Sequence, residues 1–286
     1  MVYPIRKLIL LLFIISSNSY GQDNIMSSIA SENTATLQYD DNDLKNDLRL
    51  LSKSKIFFGH QSVGGNIIDG LNMISVSNQI PLKILDDISD ISSEKNFIAH
   101  RYIGKNEEPN LKIMDFSRML EGGIGDHVDV AFMKFCYVDF KTDSKMSVED
   151  VFDMYKTEFE NIKNQYPDIQ IIHVTTPLRT VQKGIKAEIK KLLGKSPAGY
   201  ENNILRNKFN DLLKNEYEGK EPFFDLAKAE SMRPDGTLET FTVDGNVYYA
   251  LYKGYTYDRG HLNETGQKAI AIKLVQKLSQ VIRINN

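Results

Sequence analysis

Residues 55–65, Lys-Ile-Phe-Phe-Gly-His-Gln-Ser-Val-Gly-Gly, place a short apolar run directly before a polar, glycine-rich segment. The run 55–58 is typical of a buried strand, and apolar residues recur at helical spacing over 66–74. Ser62 is therefore predicted at a turn between strand and helix, where helix N–H groups can stabilise negative charge. Serine also caps helices commonly, so this segment alone fits a nucleophile or a simple cap.

The rest of the chain alternates between strand-like and helix-like segments. Further strands are predicted at 128–137, 169–174 and 222–226, and further helices at 147–166, 201–217 and 266–282. Such alternation predicts an α/β fold, a three-layer α/β/α sandwich around a mostly parallel central sheet. Sheets of this kind carry their functional residues at the carboxyl ends of the strands.

A second polar segment, Tyr-Asp-Arg-Gly-His-Leu-Asn at 257–263, precedes the last predicted helix. Asp258 and His261 are close enough in such a loop to hydrogen-bond, which would fix the imidazole tautomer and leave its other nitrogen free for a serine proton. Alone, this segment could equally be a surface histidine with a capping aspartate. Both segments together predict a catalytic triad of Ser62, His261 and Asp258.

These two segments resemble the SGNH hydrolases, the GDSL-type esterase and lipase superfamily. In that family the nucleophilic serine follows the first strand and an Asp-x-x-His motif precedes the last helix, which are the positions of Ser62, Asp258 and His261. The resemblance covers roughly residues 55–282, with His60-Gln61-Ser62 in place of Gly-Asp-Ser. It implies the flavodoxin-like version of the sandwich and a serine esterase that hydrolyses acyl or acetyl esters without a cofactor.

The resemblance also implies an oxyanion hole, which the family completes with a glycine and an asparagine. Gly104 is the best candidate for the glycine, and the N–H groups of Ser62 and Gly104 are the expected donors. The asparagine block reads Phe-Cys-Tyr-Val-Asp at 135–139, so Asp139 matches and the asparagine is missing. Asn106 is a candidate substitute, although it also fits an ordinary loop residue.

The first residues of the chain predict export. Arg6 and Lys7 precede an apolar run at 8–15, and Ser19 and Gly21 fit the small-residue rule of signal peptidases. The run is shorter than the roughly 20 residues that span a bilayer, so a secreted or periplasmic protein is expected, with an uncleaved anchor as the alternative. The predicted divisions are a signal peptide at 1–21, a flexible lead at 22–45 and a single domain at 46–286.

Composition narrows the range of partners. A net charge of -3 without a basic stripe argues against nucleic acid, and the histidines lack zinc-ligand spacing beside the single cysteine, Cys136. No metal site, cofactor or stable membrane span is predicted. The expected partner is an ester substrate, in particular an acylated carbohydrate. Two alternatives remain open, an O-acyltransferase that uses the same triad and a non-catalytic glycan-binding protein of the same fold.

Overall fold

A computed structural model of the protein describes residues 40–89 and 91–284. The predicted signal peptide at 1–21 lies outside the described residues, as does the lead at 22–39, and both stay predictions. The first described helix begins at Asp41, so the prediction of a flexible segment is wrong for residues 41–45. This helix buries Leu44, Leu48 and Leu51 at helical spacing, and that apolar stripe fixes it to the domain.

The helices of the described residues are α1 Asp41–Leu51, α2 Val63–Asn78, α3 Pro109–Met119, α4 Val148–Gln165, α5 Ile185–Leu192, α6 Tyr200–Tyr217, α7 Leu226–Ser231 and α8 Glu264–Ile284. The strands are β1 Lys55–His60, β2 Ile84–Leu85, β3 Phe97–Tyr102, β4 Val130–Met133, β5 Gln170–Val174, β6 Phe223–Phe224, β7 Thr240–Val243 and β8 Asn246–Tyr249. No helix in this part of the chain is both long enough and apolar enough to cross a bilayer.

Six strands form one parallel sheet in the order β2-β3-β1-β4-β5-β6. Without the two-residue β2, the order is second, first, third, fourth, fifth, which is the flavodoxin-like arrangement. Strand β4 is buried along its whole length, as expected of a strand with helices over both faces. The predicted parallel α/β fold is therefore confirmed. Strands β7 and β8 pair separately as an antiparallel hairpin.

Helices cover the sheet in two groups. On one face, Phe57 and Ala131 of the sheet pack in a single core with Phe116 of α3, Phe159 of α4 and Phe209 of α6. Successive side chains of a strand point to opposite faces, so Phe58 lies on the other side. That side is covered by helices α1 and α2, which both pack against α8. These are the three layers of the predicted sandwich.

The packing of α2 against α8 brings the two polar segments together. Gly70 of α2 lies so close to α8 that a Cβ atom there would be 2.2 Å from the carbonyl oxygen of Gln267. Ser62 directly precedes α2, and His261 lies three residues before α8. The N-terminal ends of both helices therefore meet at the carboxyl edge of the sheet.

Two strands of the sheet, β2 and β3, were not among those predicted. β3 pairs with β1 over its full length, from Phe97 beside Lys55 to Tyr102 beside His60. Its second half, from His100 to Tyr102, is polar or exposed, so β3 lacks the continuous apolar run that marks the other central strands. The strand predicted at 128–137 exists, but it is limited to Val130–Met133.

Candidate active site

Ser62 lies between the end of β1 and the start of α2 with backbone angles φ 50° and ψ -110°. A residue with a side chain seldom adopts a positive φ, and such strain is typical of functional sites. Among the described residues, the N–H of Ser62 has no hydrogen-bond acceptor. Ser62 therefore combines a strained backbone with a free donor beside its hydroxyl.

Three side chains form one hydrogen-bonded row at this edge. Ser62 Oγ lies 2.7 Å from His261 Nε2, although the two residues are 199 positions apart in the chain. His261 Nδ1 lies 2.5 Å from Asp258 Oδ2. If Nδ1 carries the ring proton and donates it to Asp258, Nε2 is the acceptor for the serine proton. The arrangement can activate a serine hydroxyl as a nucleophile.

Asp258 is held as a carboxylate by its own loop. Burial acts to raise its pKa, but hydrogen bonds from the His261 side chain and from the backbone N–H groups of His261 and Gly260 lower that pKa to about 2. The two backbone donors reach Oδ1 at 2.7 and 2.9 Å, while Oδ2 faces the imidazole. The carboxylate is therefore ionised at neutral pH and oriented toward the histidine.

The histidine loop is also tied to the nucleophile helix. The backbone N–H of Leu262 donates to Asn66 Oδ1 of α2 at 3.1 Å. Asn263 begins α8 by accepting the N–H of Gly266 through its side chain at 3.0 Å. These contacts fix the residue after His261 to the helix that follows Ser62, so the 2.7 Å contact does not depend on the triad alone.

A buried lysine supports the turn before Ser62. Lys134, directly after β4, donates from Nζ to the carbonyl of Gln61 at 2.8 Å and to that of Phe135 at 3.1 Å. Desolvation by burial lowers its pKa. The Gln61 side chain in turn donates to the carbonyls of Ile103 and Gly104. Gln61 therefore links the serine turn to the loop after β3.

The structure revises the predicted role of Gly104. Its N–H donates to Asp115 Oδ2 of α3 at 2.8 Å, so it is not free to bind an oxyanion in this conformation. Asp115 lies 11 residues after Gly104, within α3. Only the packing of α3 brings its carboxylate over the loop that carries Gly104. Of the two backbone donors expected from the sequence, only Ser62 has its N–H available.

Asn106 and Asp139 belong to a separate buried contact. Asp139 pairs with Lys112 at 2.6 Å, and both side chains are fully buried. Lys112 also donates to Asn106 Oδ1 at 3.0 Å. Within the described residues, neither Asn106 nor Asp139 hydrogen-bonds to Ser62 or His261. The geometry gives no support to Asn106 as an oxyanion donor.

Tyr137 is a site residue that sequence reasoning missed. Its ring lies edge-on to the His261 ring, with 5.8 Å between centroids, and Arg179 lies over it at 5.1 Å. It approaches the loop so closely that a Cβ at Gly260 would be 2.9 Å from the ring. Its carbonyl accepts from the buried Arg206 at 2.7 Å. Its position shortly after β4 at the carboxyl edge was the available signal.

Metal-binding chemistry finds no support in the described part of the chain. No group of three or more histidine, cysteine, aspartate or glutamate side chains is placed there to hold a metal ion. Cys136 is buried and unpaired with any other cysteine.

No protein-family model matches the chain, and no curated protein matches it. Among solved structures it is similar to a lipase/acylhydrolase from Enterococcus faecalis, at 13% identity over 79% of this chain and 96% of that chain, with a TM-score of 0.47. It is also similar to an acetyl xylan esterase, at 15% identity over 77% of this chain and 96% of that chain, with a TM-score of 0.44. A third is the periplasmic domain of a lipopolysaccharide acetyltransferase from Salmonella ser. Paratyphi A, at 14% identity over 79% and 84% of the two chains, with a TM-score of 0.44.

What distinguishes the site is the geometry of this chain, a serine, a histidine and an aspartate in one hydrogen-bonded row at the carboxyl edge of a parallel sheet.

Proposed function

We propose that this protein is a serine esterase of the SGNH hydrolase type that acts on acyl or acetyl esters. The observation that carries the proposal is the row from Ser62 Oγ through His261 to Asp258, with contacts of 2.7 and 2.5 Å. The same three positions carry the motif resemblance, and a strained serine backbone accompanies them. We also propose that the protein is exported, on the strength of the sequence at 1–21.

The proposed reaction has two halves. Ser62 Oγ attacks the ester carbonyl while His261 Nε2 takes the serine proton, and the N–H of Ser62 donates to the oxyanion. The carbon–oxygen bond to the alcohol then breaks, and His261 returns the proton to the leaving alcohol. Water attacks the resulting acyl-serine by the same route, with His261 as base, and releases the acid and free Ser62. Asp258 stabilises the imidazolium in both halves.

Exposure of the triad favours hydrolysis over acyl transfer. The side chain of His261 is 38% exposed and that of Asp258 is 46% exposed, so water reaches the base directly. An acyltransferase has to exclude water from its acyl-enzyme, and that depends on a closed site. We therefore place hydrolysis ahead of transfer to a sugar hydroxyl. A purely glycan-binding role would give no reason for the aligned triad.

The test is Ser62→Ala assayed with an aryl acetate and with a fluorophosphonate that labels active serines. We expect the turnover number to fall by about 10⁴-fold or more and labelling to disappear, because the nucleophile is removed. Ser77→Ala, at the exposed end of the same helix, is the matched control and should keep both. Hydrolysis by Ser62→Ala at the wild-type rate would show that Ser62 is not the nucleophile.

A further inference from the structure

A cavity of about 520 Å³ lies beside the loop that carries Asp258. We call it the basic cavity. Its walls come from the segment after β5, from the region around β7 and from the histidine loop, and its charged or aromatic lining residues are Lys183, Arg233, Glu239, Lys253, Tyr257 and Arg259. The proposed esterase chemistry does not use any of these side chains.

Positive charge dominates this lining. Four of the lining residues are lysine or arginine, and Glu239 is the single acidic one. Glu239 binds both Lys183 and Arg233, the latter at 2.6 Å. Lys253 and Arg259 have no acidic partner among the described residues. The whole chain carries a formal charge of -3, so this local excess of cations does not reflect the overall composition.

The basic cavity adjoins the triad. Tyr257 and Arg259 flank Asp258 in sequence, and the cavity-lining Thr256 donates through its hydroxyl to Asp258 Oδ1 at 3.4 Å. Asp258 in turn is separated from Ser62 Oγ by one imidazole ring and two hydrogen bonds. The cavity therefore lies on the side of the triad that carries Asp258.

The backbone at Arg259 is held in a strained conformation. Its φ is 79°, a region that favours glycine, and its carbonyl accepts the N–H of Thr180 at 3.1 Å. Strain of this kind persists where surrounding contacts over-determine the conformation, and it clusters at functional sites. Here the contacts keep the Arg259 guanidinium in the cavity wall beside Asp258, where it donates to Thr180 Oγ1 at 3.4 Å and has no acidic partner among the described residues. Tyr257, 75% exposed, adds an aromatic face on which a sugar ring can stack.

We propose that the basic cavity binds an anionic group of the ester substrate, which makes the preferred substrate an acylated acidic carbohydrate with carboxylate groups. The proposal rests on the esterase function proposed above. The guanidinium of Arg259 is suited to a planar carboxylate, and Lys253 supplies a second charge. Lys183 and Arg233, already bound to Glu239, also line the cavity.

The test compares kcat/KM for three acetylated substrates, a neutral xylo-oligosaccharide, a galacturonate oligosaccharide of matched length and a glycosyl phosphate. We expect wild type to prefer the galacturonate ester over the neutral one. Lys253→Gln and Arg259→Gln should each lower that preference about tenfold, since a hydrogen bond to a charged group contributes about that factor. High salt should lower it as well. Lys268→Gln removes an exposed positive charge from α8 and should leave the preference unchanged.

Several outcomes would overturn the inference. Equal rates of wild type on the neutral and galacturonate esters would do so, as would an unchanged preference in the Lys253→Gln, Arg259→Gln double variant. Preference for the glycosyl phosphate would overturn the carboxylate assignment. If wild type hydrolyses none of the esters, including an aryl acetate, the esterase proposal fails instead. Calorimetric titration of Ser62→Ala with deacetylated galacturonate oligosaccharide then still tests the cavity, and absence of binding there would refute it.

Discussion

Two carboxylates near the same edge of the sheet show how far environment separates identical groups. Asp258 lies in an exposed loop, where hydrogen bonds from His261 and Gly260 outweigh burial and lower its pKa to about 2. Glu230 of α7 is fully buried, and burial raises its pKa to about 8, against the hydrogen bond from Leu178 and the charges of Lys134 and Arg206. The exposed Asp258 is ionised and can stabilise the imidazolium of His261. The buried Glu230 belongs to the residues that support the site.

The two regions are also held in different ways. The histidine loop depends on short local hydrogen bonds between residues 258 and 261, on one bond to Asn66 and on the bond from the Thr180 N–H to the Arg259 carbonyl. The buried polar cluster, which we define as Lys134, Arg206 and Glu230, joins the residue after β4 to α6 and α7. Lys134 donates to the carbonyl of Gln61, and Arg206 donates to the carbonyl of Tyr137. Glu230 accepts the N–H of Leu178. Changes in the loop should therefore affect chemistry, and changes in the cluster should affect both chemistry and stability.

The largest effect is expected from Asp258→Asn. Asparagine keeps the shape of the loop but removes the charge that stabilises the imidazolium, and it can favour the wrong ring tautomer. We expect kcat to fall by about 10²–10⁴-fold, while the free energy of unfolding changes by less than about 1 kcal/mol because the side chain is half exposed. Stopped-flow turnover of an aryl acetate and urea unfolding measure the two quantities.

The control for this variant is Asp244→Asn in the exposed turn between β7 and β8, which should change neither quantity. Retention of wild-type kcat in Asp258→Asn would mean that Asp258 is not the partner of His261 in the reaction.

A smaller effect on the chemistry is expected from Lys134→Met. Methionine fills the space of the lysine stem but donates nothing to the carbonyls of Gln61 and Phe135. Gln61 keeps the hydrogen bond from the Gly64 N–H at 3.0 Å, so the serine turn loosens without collapsing. We expect kcat to fall about tenfold with KM nearly unchanged. The free energy of unfolding should fall by about 1–3 kcal/mol because a buried carbonyl loses its donor.

Val151→Ala, a truncation in the core under α4, separates the two effects of Lys134→Met. It should lower stability by a comparable amount and leave kcat at the wild-type value. If Val151→Ala lowers kcat as much as Lys134→Met does, the lysine acts only through global stability and does not position the serine turn.

The sequence predicts the triad because its contacts are either local or fixed by topology. Asp258 and His261 lie three residues apart, and Ser62 follows a strand whose carboxyl end faces the same edge as the start of α8. The fold class follows from the same alternation of apolar strands and amphipathic helices. None of these inferences needs the position of an individual side chain in the interior.

The surroundings of Ser62 could not be predicted in this way. The N–H of Gly104 is taken by Asp115, and that contact depends on how α3 packs over the loop. Lys134 ends an apolar strand, a position where an exposed and a buried lysine look the same in sequence. Tyr137 lies beside His261 only because β4 ends under the histidine loop. Each of these contacts joins distant segments through side chains, which apolar periodicity does not register.

The smallest effect on turnover, and the one that isolates the buried carboxyl, is expected from Glu230→Gln. The native state holds the Glu230 proton up to a pKa of about 8, whereas the unfolded chain releases it near the ordinary value of 4.5. Between these values the unfolded state binds fewer protons, so this group lowers stability as pH rises.

Glutamine cannot ionise and still offers an oxygen to the Leu178 N–H. The free energy of unfolding of Glu230→Gln, relative to wild type, should therefore rise by at least about 1 kcal/mol from pH 5 to pH 8. Urea unfolding at both pH values measures this difference, with the exposed Glu201→Gln as control, and an equal pH response in both variants would show that Glu230 is ionised in the folded protein.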